Sequence, residues 1–164
     1  MIINQTGEYA LRALAYMASM APQSAIRATD LSEVTGIPVH YLSKIMRRLV
    51  KVGIVSSQKG HGGGFAFARE PSAISFSDVL IAFDCITPPN RCAFGWGSCN
   101  PVRPCPLHPT WSTLKESFHE WAESSNFGQV GTWIPAPGSE PAKPGGSSKS
   151  KKKSKRIRRA GPAR

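Results

Sequence analysis

Residues 28–68 carry a helix, break, helix, hairpin pattern that leaves few folds open to this chain. Thr29 or Asp30 can cap a short helix over Leu31 to Val34, and Gly36 stops it. Pro38 suits the first turn of a second helix. That helix carries Tyr41, Leu42, Ile45, Met46, Leu49 and Val50 at core-like spacing, with His40, Ser43, Lys44, Arg47, Arg48 and Lys51 on its other faces. Gly53 is its expected stop. A helix, a three-residue break and a basic amphipathic helix are the grammar of a helix-turn-helix. Ile54 to Gln58 then predicts a short strand, and Phe65 to Ala68 a second. The flexible cationic turn Lys59-Gly60-His61-Gly62-Gly63-Gly64 joins them. Two strands on such a turn, directly after a basic helix, make a wing. The glycine run is not a phosphate loop, because no Lys-Ser/Thr pair and no helix follow it.

Three further helices are expected. Residues 5–20 place Tyr9, Leu11, Leu14 and Met17 at three- and four-residue spacing among alanines, and residues 75–83 read as a short helix with Phe76, Val79, Leu80 and Phe83. Later, Leu107, Trp111, Leu114, Phe118 and Trp121 step by 4, 3, 4 and 3, an a/d-like seam on a helix from about Thr110 to Ser125. A helix of this kind, late in a winged-helix protein, pairs with its own copy, so Trp111, Leu114, Phe118 and Trp121 are the expected dimer residues. The predicted class is mainly α with a small β-wing: a winged helix-turn-helix (1–84), a cysteine-rich loop (85–109), a dimerisation helix with its extension (110–134) and a basic tail (135–164).

Charge is unevenly placed along the 164 residues. The net charge is +11, but residues 136–164 hold ten Lys/Arg and one acid, leaving the body at only +2. The tail is rich in Pro, Gly, Ser and Lys, and no stable structure is expected there. Eight Lys/Arg and no acid between Lys149 and Arg159 suit non-specific attraction to DNA phosphates. No apolar run is long enough to span a membrane, and the first residues lack the features of a signal peptide. A cytoplasmic location is the expectation, and with it thiols that serve as ligands more than as disulfides. No nucleophile elbow or zincin motif points to an enzyme.

The cysteine loop reads Cys-x6-Cys-x5-Cys-x2-His: Cys92, Cys99, Cys105 and His108. Glycine and proline punctuate it, so it cannot be one helix or one strand. Three thiols and an imidazole on a flexible loop suit a metal or an iron–sulfur cluster. Zinc is one competitor, since three cysteines and a histidine also form a structural zinc set; the spacings are wider than the usual zinc knuckle. Bare redox thiols are another. Cys85, beside Phe83 and Ile86, reads as a small buried hydrophobe rather than a ligand. Trp96 is a candidate to shield a cluster from solvent.

On helix-turn-helix geometry His40, Tyr41 and Lys44 face base edges, and a lysine can donate to guanine O6 and N7. Arg47, Arg48 and Lys51 lie later and fit phosphates, while Lys59 at the wing tip reaches a minor groove or backbone.

Residues 1–125 resemble the BadM/Rrf-type family of bacterial winged-helix regulators. The resemblance rests on Gly-Glu-Tyr-Ala-Leu-Arg-Ala-Leu at 7–14, Gly-Ile-Pro-Val-His-Tyr-Leu-Ser-Lys-Ile at 36–45, Val-Gly-Ile-Val-Ser-Ser-Gln-Lys-Gly-His-Gly-Gly-Gly-Phe at 52–65 and Cys-Pro-Leu-His-Pro-Thr-Trp at 105–111, together with the two earlier cysteines. It implies a homodimer on an imperfectly palindromic DNA operator, acting as a repressor more often than as an activator. It also implies an iron–sulfur cluster in the loop, [2Fe–2S] ahead of [4Fe–4S], sensing iron–sulfur, redox or nitric oxide status. One pattern within the family makes Cys92, Cys99, Cys105 and His108 the ligands; another replaces the histidine by an acidic residue near the N-terminus of the second subunit, at the position of Glu8. The first spacing, six residues between Cys92 and Cys99, is one longer than the histidine-type members have, which leaves the cluster type open.

Overall fold

A computed structural model describes residues 3–20, 24–60, 62–86, 91–95, 97–100 and 102–131. The tail from 132 onward, Trp96 and His61 lie outside the described residues. Helix α1 spans Gln5–Ser19, α2 Ala28–Thr35 and α3 Val39–Lys51. Strands β1 (Val55–Gln58) and β2 (Gly64–Phe67) follow. A 3-10 turn at Pro71–Ala73 leads into α4 (Phe76–Ala82), and α5 (His108–Ser124) and α6 (Phe127–Val130) come after the cysteine loop.

The side-chain caps of α1 and α4 are local, as is the Asn126–Gln129 capping box of α6. The Asn4 side chain accepts from the Gly7 N–H at 2.8 Å, and Ser75 and Asp78 form a reciprocal capping box at the start of α4. Helix α2 begins earlier than Thr29 or Asp30 would set it. Its N-cap is Arg27, which has no side-chain cap bond. The reason is tertiary: Ile26 pairs with Phe65 as an isolated bridge, with both backbone bonds at 2.8–2.9 Å. Chain extended at 26 turns helical as soon as Arg27 C=O accepts from Leu31 N–H. Gly36 ends α2 in the left-handed region at φ 68°, as a helix stop requires.

The hairpin is antiparallel, with Val55 opposite Phe67 and Gln58 opposite Gly64. Positive φ at Gly60 and Gly62 turns the chain between the strands. A Cβ at Gly64 would collide with the Ile26 carbonyl, so glycine lets the third short segment approach the wing.

One apolar core joins the elements. Leu14 of α1, Leu31 of α2, Ile37 in the break, and Leu42, Ile45, Met46 and Leu49 of α3 are all buried in it. Ile54, Val55, Ile74, Leu80 and Phe127 complete it. Helix α5 starts at His108 rather than near Thr110, because Pro109 fits the first turn. At its far end the chain returns to the body: Phe76 N–H bonds Ser125 C=O at 2.9 Å, and Ser75 pairs with Asn126. Phe127 is then fully buried against Phe67 and Phe76.

Candidate DNA-reading face and cysteine loop

The break between α2 and α3 is held rigidly. Ser32 Oγ donates to Ile37 C=O at 2.6 Å, Gly36 N–H donates to Ser32 C=O at 2.9 Å, and Ile37 is wholly buried. Pro38 C=O accepts from both Tyr41 and Leu42 N–H. The buried stripe Leu42, Ile45, Met46 and Leu49 fixes which way α3 faces. Its opposite face is therefore outward: His40, Tyr41, Lys44, Arg47, Arg48 and Lys51 are all exposed, and so is Lys59 at the root of the wing turn. The His40 and Tyr41 rings lie 4.6 Å apart, so the two form one surface at the helix start.

Arg48 differs from its neighbours. It pairs with Asp84 at 2.9 Å, and its guanidinium lies 5.3 Å over the Phe83 ring. This ties α3 to the end of α4. That end is a Schellman motif: Cys85 N–H reaches Leu80 C=O and Asp84 N–H reaches Ile81 C=O. Asp84 occupies the left-handed position at φ 55°, where glycine is usual.

Cys85, just beyond, is buried, and a Cβ on Gly7 would strike its Sγ. It fills a gap between α1 and α4. The other three cysteines are more open: Cys92 and Cys99 are partly exposed and Cys105 is exposed, and none of the four is in a disulfide. Around Cys92 the chain makes a small hairpin. Arg91 pairs with Ser98, Cys92 N–H donates to Gly97 C=O at 2.9 Å, and Gly95 N–H donates to Cys92 C=O at 3.1 Å. Cys105 C=O accepts from His108 N–H at 3.0 Å, which seats the last two predicted donors at the head of α5.

The donors are of one chemistry but are not gathered. Among the described residues no three His, Cys, Asp or Glu side chains are grouped to hold a metal ion. Three unbridged thiols and an imidazole suit a soft metal or an iron–sulfur cluster by donor type. Glu8, in the first turn of α1, is ion-paired with Arg12.

The predicted seam on α5 divides in two. Phe118 packs on the core, 5.5 Å from the Trp121 ring, and Trp121 meets Phe76 edge-on at 5.4 Å. Trp111 turns to the loop, its Nε1–H donating to Arg91 C=O at 3.1 Å. What remains open is a stripe of Leu107, Leu114 and Trp121, seven residues apart and 56, 45 and 40% exposed. Sequence reasoning missed Lys115, a lysine on the buried side of α5. No pattern signals it, since charged side chains are rarely buried.

Comparison with known proteins agrees with this architecture. The Rrf2 family model, described as an iron-dependent transcriptional regulator, matches residues 3–131. The HTH-type transcriptional regulator IscR of Klebsiella pneumoniae is 31% identical over 130 residues, covering 79% of each chain. Among solved structures, CymR of B. subtilis, the global cysteine regulator, superposes with a TM-score of 0.69 at 18% identity, over 81% of this chain and 98% of that one. IscR of T. potens gives 0.59 at 22% identity, over 76% and 82%. Family and relatives are transcriptional regulators and not enzymes. Among the described residues no helix is long and apolar enough to cross a membrane. The chain belongs to the Rrf2 family of winged-helix transcriptional regulators.

Proposed function

We propose that this regulator binds a palindromic DNA operator as a homodimer and senses iron–sulfur, redox or nitric oxide status through a cluster held by Cys92, Cys99, Cys105 and His108. The observation that carries the reading is the place of the loop. Three unbridged thiols lie on the segment between the winged helix-turn-helix and α5, and the imidazole is the first residue of α5. The relative named IscR, 31% identical, favours the same sensing class. His108 is the preferred fourth ligand over Glu8, because Glu8 is already paired with Arg12.

In this reading α3 enters the major groove. His40, Tyr41 and Lys44 reach base edges, and Arg47 and Lys51 reach phosphates. Arg48 joins the phosphate set only by giving up Asp84. Lys59 touches the backbone or minor groove beside the wing. The open stripe Leu107, Leu114 and Trp121 pairs with its copy, together with the exposed parts of Trp111 and Phe118. The basic tail adds sequence-independent attraction to DNA.

A bound cluster would supply the site's sensitivity to oxidants and nitric oxide, with [2Fe–2S] the preferred form. The loop's own part is conformational: with its donors engaged or released it takes different shapes, and α5 re-poses the two recognition helices against half-sites about one DNA turn apart. Repression is the expected mode and the cytoplasm the expected location.

A second reading follows from the ungathered donors and from the likeness to CymR: the same DNA chemistry switched by bare thiols or by zinc. Operator affinity measured with and without cluster tests the first reading. A ratio well away from one supports it. Equal affinities rule the switch out.

A further inference from the structure

Lys115 is the one charged residue buried among those described, at 7% exposure in the middle of α5. A lysine normally threads its ammonium out to water, and burying it is costly unless the charge is met. Here the ammonium turns to the cysteine loop. Its Nζ donates to the Arg91 carbonyl at 3.3 Å and lies 5.8 Å from the centre of the Trp111 ring. That carbonyl also accepts the Trp111 Nε1–H at 3.1 Å. A carbonyl has two lone pairs, so one oxygen holds both donors.

Arg91 is the root of the small hairpin that carries Cys92 and leads to Cys99. The other end of the loop runs into α5 through Cys105 and His108. The segment from 91 to 108 is thus anchored to one helix at both ends. Closing its scattered donors round a ligand must strain the Arg91 anchor or move α5 with it.

We propose that Lys115 and Trp111 are positioning residues that clamp the cysteine loop to α5 through the Arg91 carbonyl, and that this clamp carries loop rearrangement into the helix. The proposal deepens the sensing function given above and rests on it for its second half. An ammonium carries no lone pair to give a metal, so the part of Lys115 is mechanical and electrostatic rather than ligating.

Two variants separate the parts. Lys115→Met keeps the apolar stem and removes the ammonium. Trp111→Phe keeps an aromatic face and removes the N–H; it serves if the first variant folds poorly. In the metal-free full-length protein, hydrogen exchange at the Cys92 and Gly95 amides should quicken by about tenfold or more in either variant, because the hairpin loses its root. Lys115→Arg, which can still donate, should restore much of the protection. Unchanged exchange in both variants would overturn the clamp.

The second arm compares operator affinity with and without cluster. In Lys115→Met the ratio should fall toward one while iron content per protomer stays as in the wild type. An unaltered ratio would overturn the coupling. If the wild type itself shows no ratio, the sensing function fails, and the exchange arm still decides the clamp on its own.

Discussion

Asp84 stands where a glycine is usual. Its left-handed backbone closes the Schellman motif of α4, and its carboxylate meets Arg48 of α3. For Asp or Asn, which tolerate the left-handed region best, that conformation costs about 1 kcal/mol, while an exposed ion pair returns up to about 1 kcal/mol. The two nearly offset. Asp84→Gly should therefore shift stability by less than about 0.5 kcal/mol, whereas Asp84→Val should lose roughly 1–2 kcal/mol, as urea midpoints would show. Single residues were also where sequence reading fell short. Phe127 sits in Ser-Asn-Phe-Gly, just beyond the helix predicted to end near Ser125, yet it is wholly buried. A four-residue helix is too short to show periodicity, and its burial depends on the distant pairing of Ser75 with Asn126. Lys115 was hidden for the opposite reason: its chemistry predicts a surface position, whereas the Arg91 carbonyl and the Trp111 ring meet its ammonium in the fold.

Elements were far more legible. Of the residues given core-like spacing, Leu42, Ile45, Met46 and Leu49 are buried and Val50 half-buried, so the charged face of α3 points outward; Tyr41, in the first turn, is exposed with that face instead. The wing hairpin pairs as its glycine turn predicts, with the first strand starting one residue later, at Val55, and the second lying one residue earlier, at Gly64–Phe67. The α2 start was misplaced because the Ile26–Phe65 bridge, a long-range contact, overrides a local capping signal. The seam on α5 was legible as a period but not as a face, since Phe118 turns to its own core and Trp111 to the loop. If α3 is the reading helix, Lys44→Ala and Arg47→Ala should differ in kind. Lys44→Ala should cost about 1–3 kcal/mol and relax base preference at one operator position. Arg47→Ala should weaken all sequences alike and lower the salt slope by about one. Titrations on matched and mutated operators at several salt concentrations distinguish them, and identical behaviour would contradict the assigned roles.

For the molecule as a whole, charge and chemistry divide between regions. The body is close to neutral, and the high net charge resides in residues 136–164. Deleting that tail should flatten the salt dependence of DNA binding and leave operator preference intact; loss of preference would contradict an accessory role. The sensing claim depends on the loop alone. Its four donors were readable as residue types, but their assembly was not, because nothing in a spacing fixes how a glycine- and proline-broken loop closes. The most direct test is an anaerobic purification followed by a visible spectrum with iron and sulfide analysis. A cluster-bearing protein should be brown or red with iron and sulfide in equal amounts, its colour lost in Cys99→Ala and kept in Cys85→Ala. A colourless protein carrying stoichiometric zinc, or no metal after reconstitution, would contradict the sensing claim.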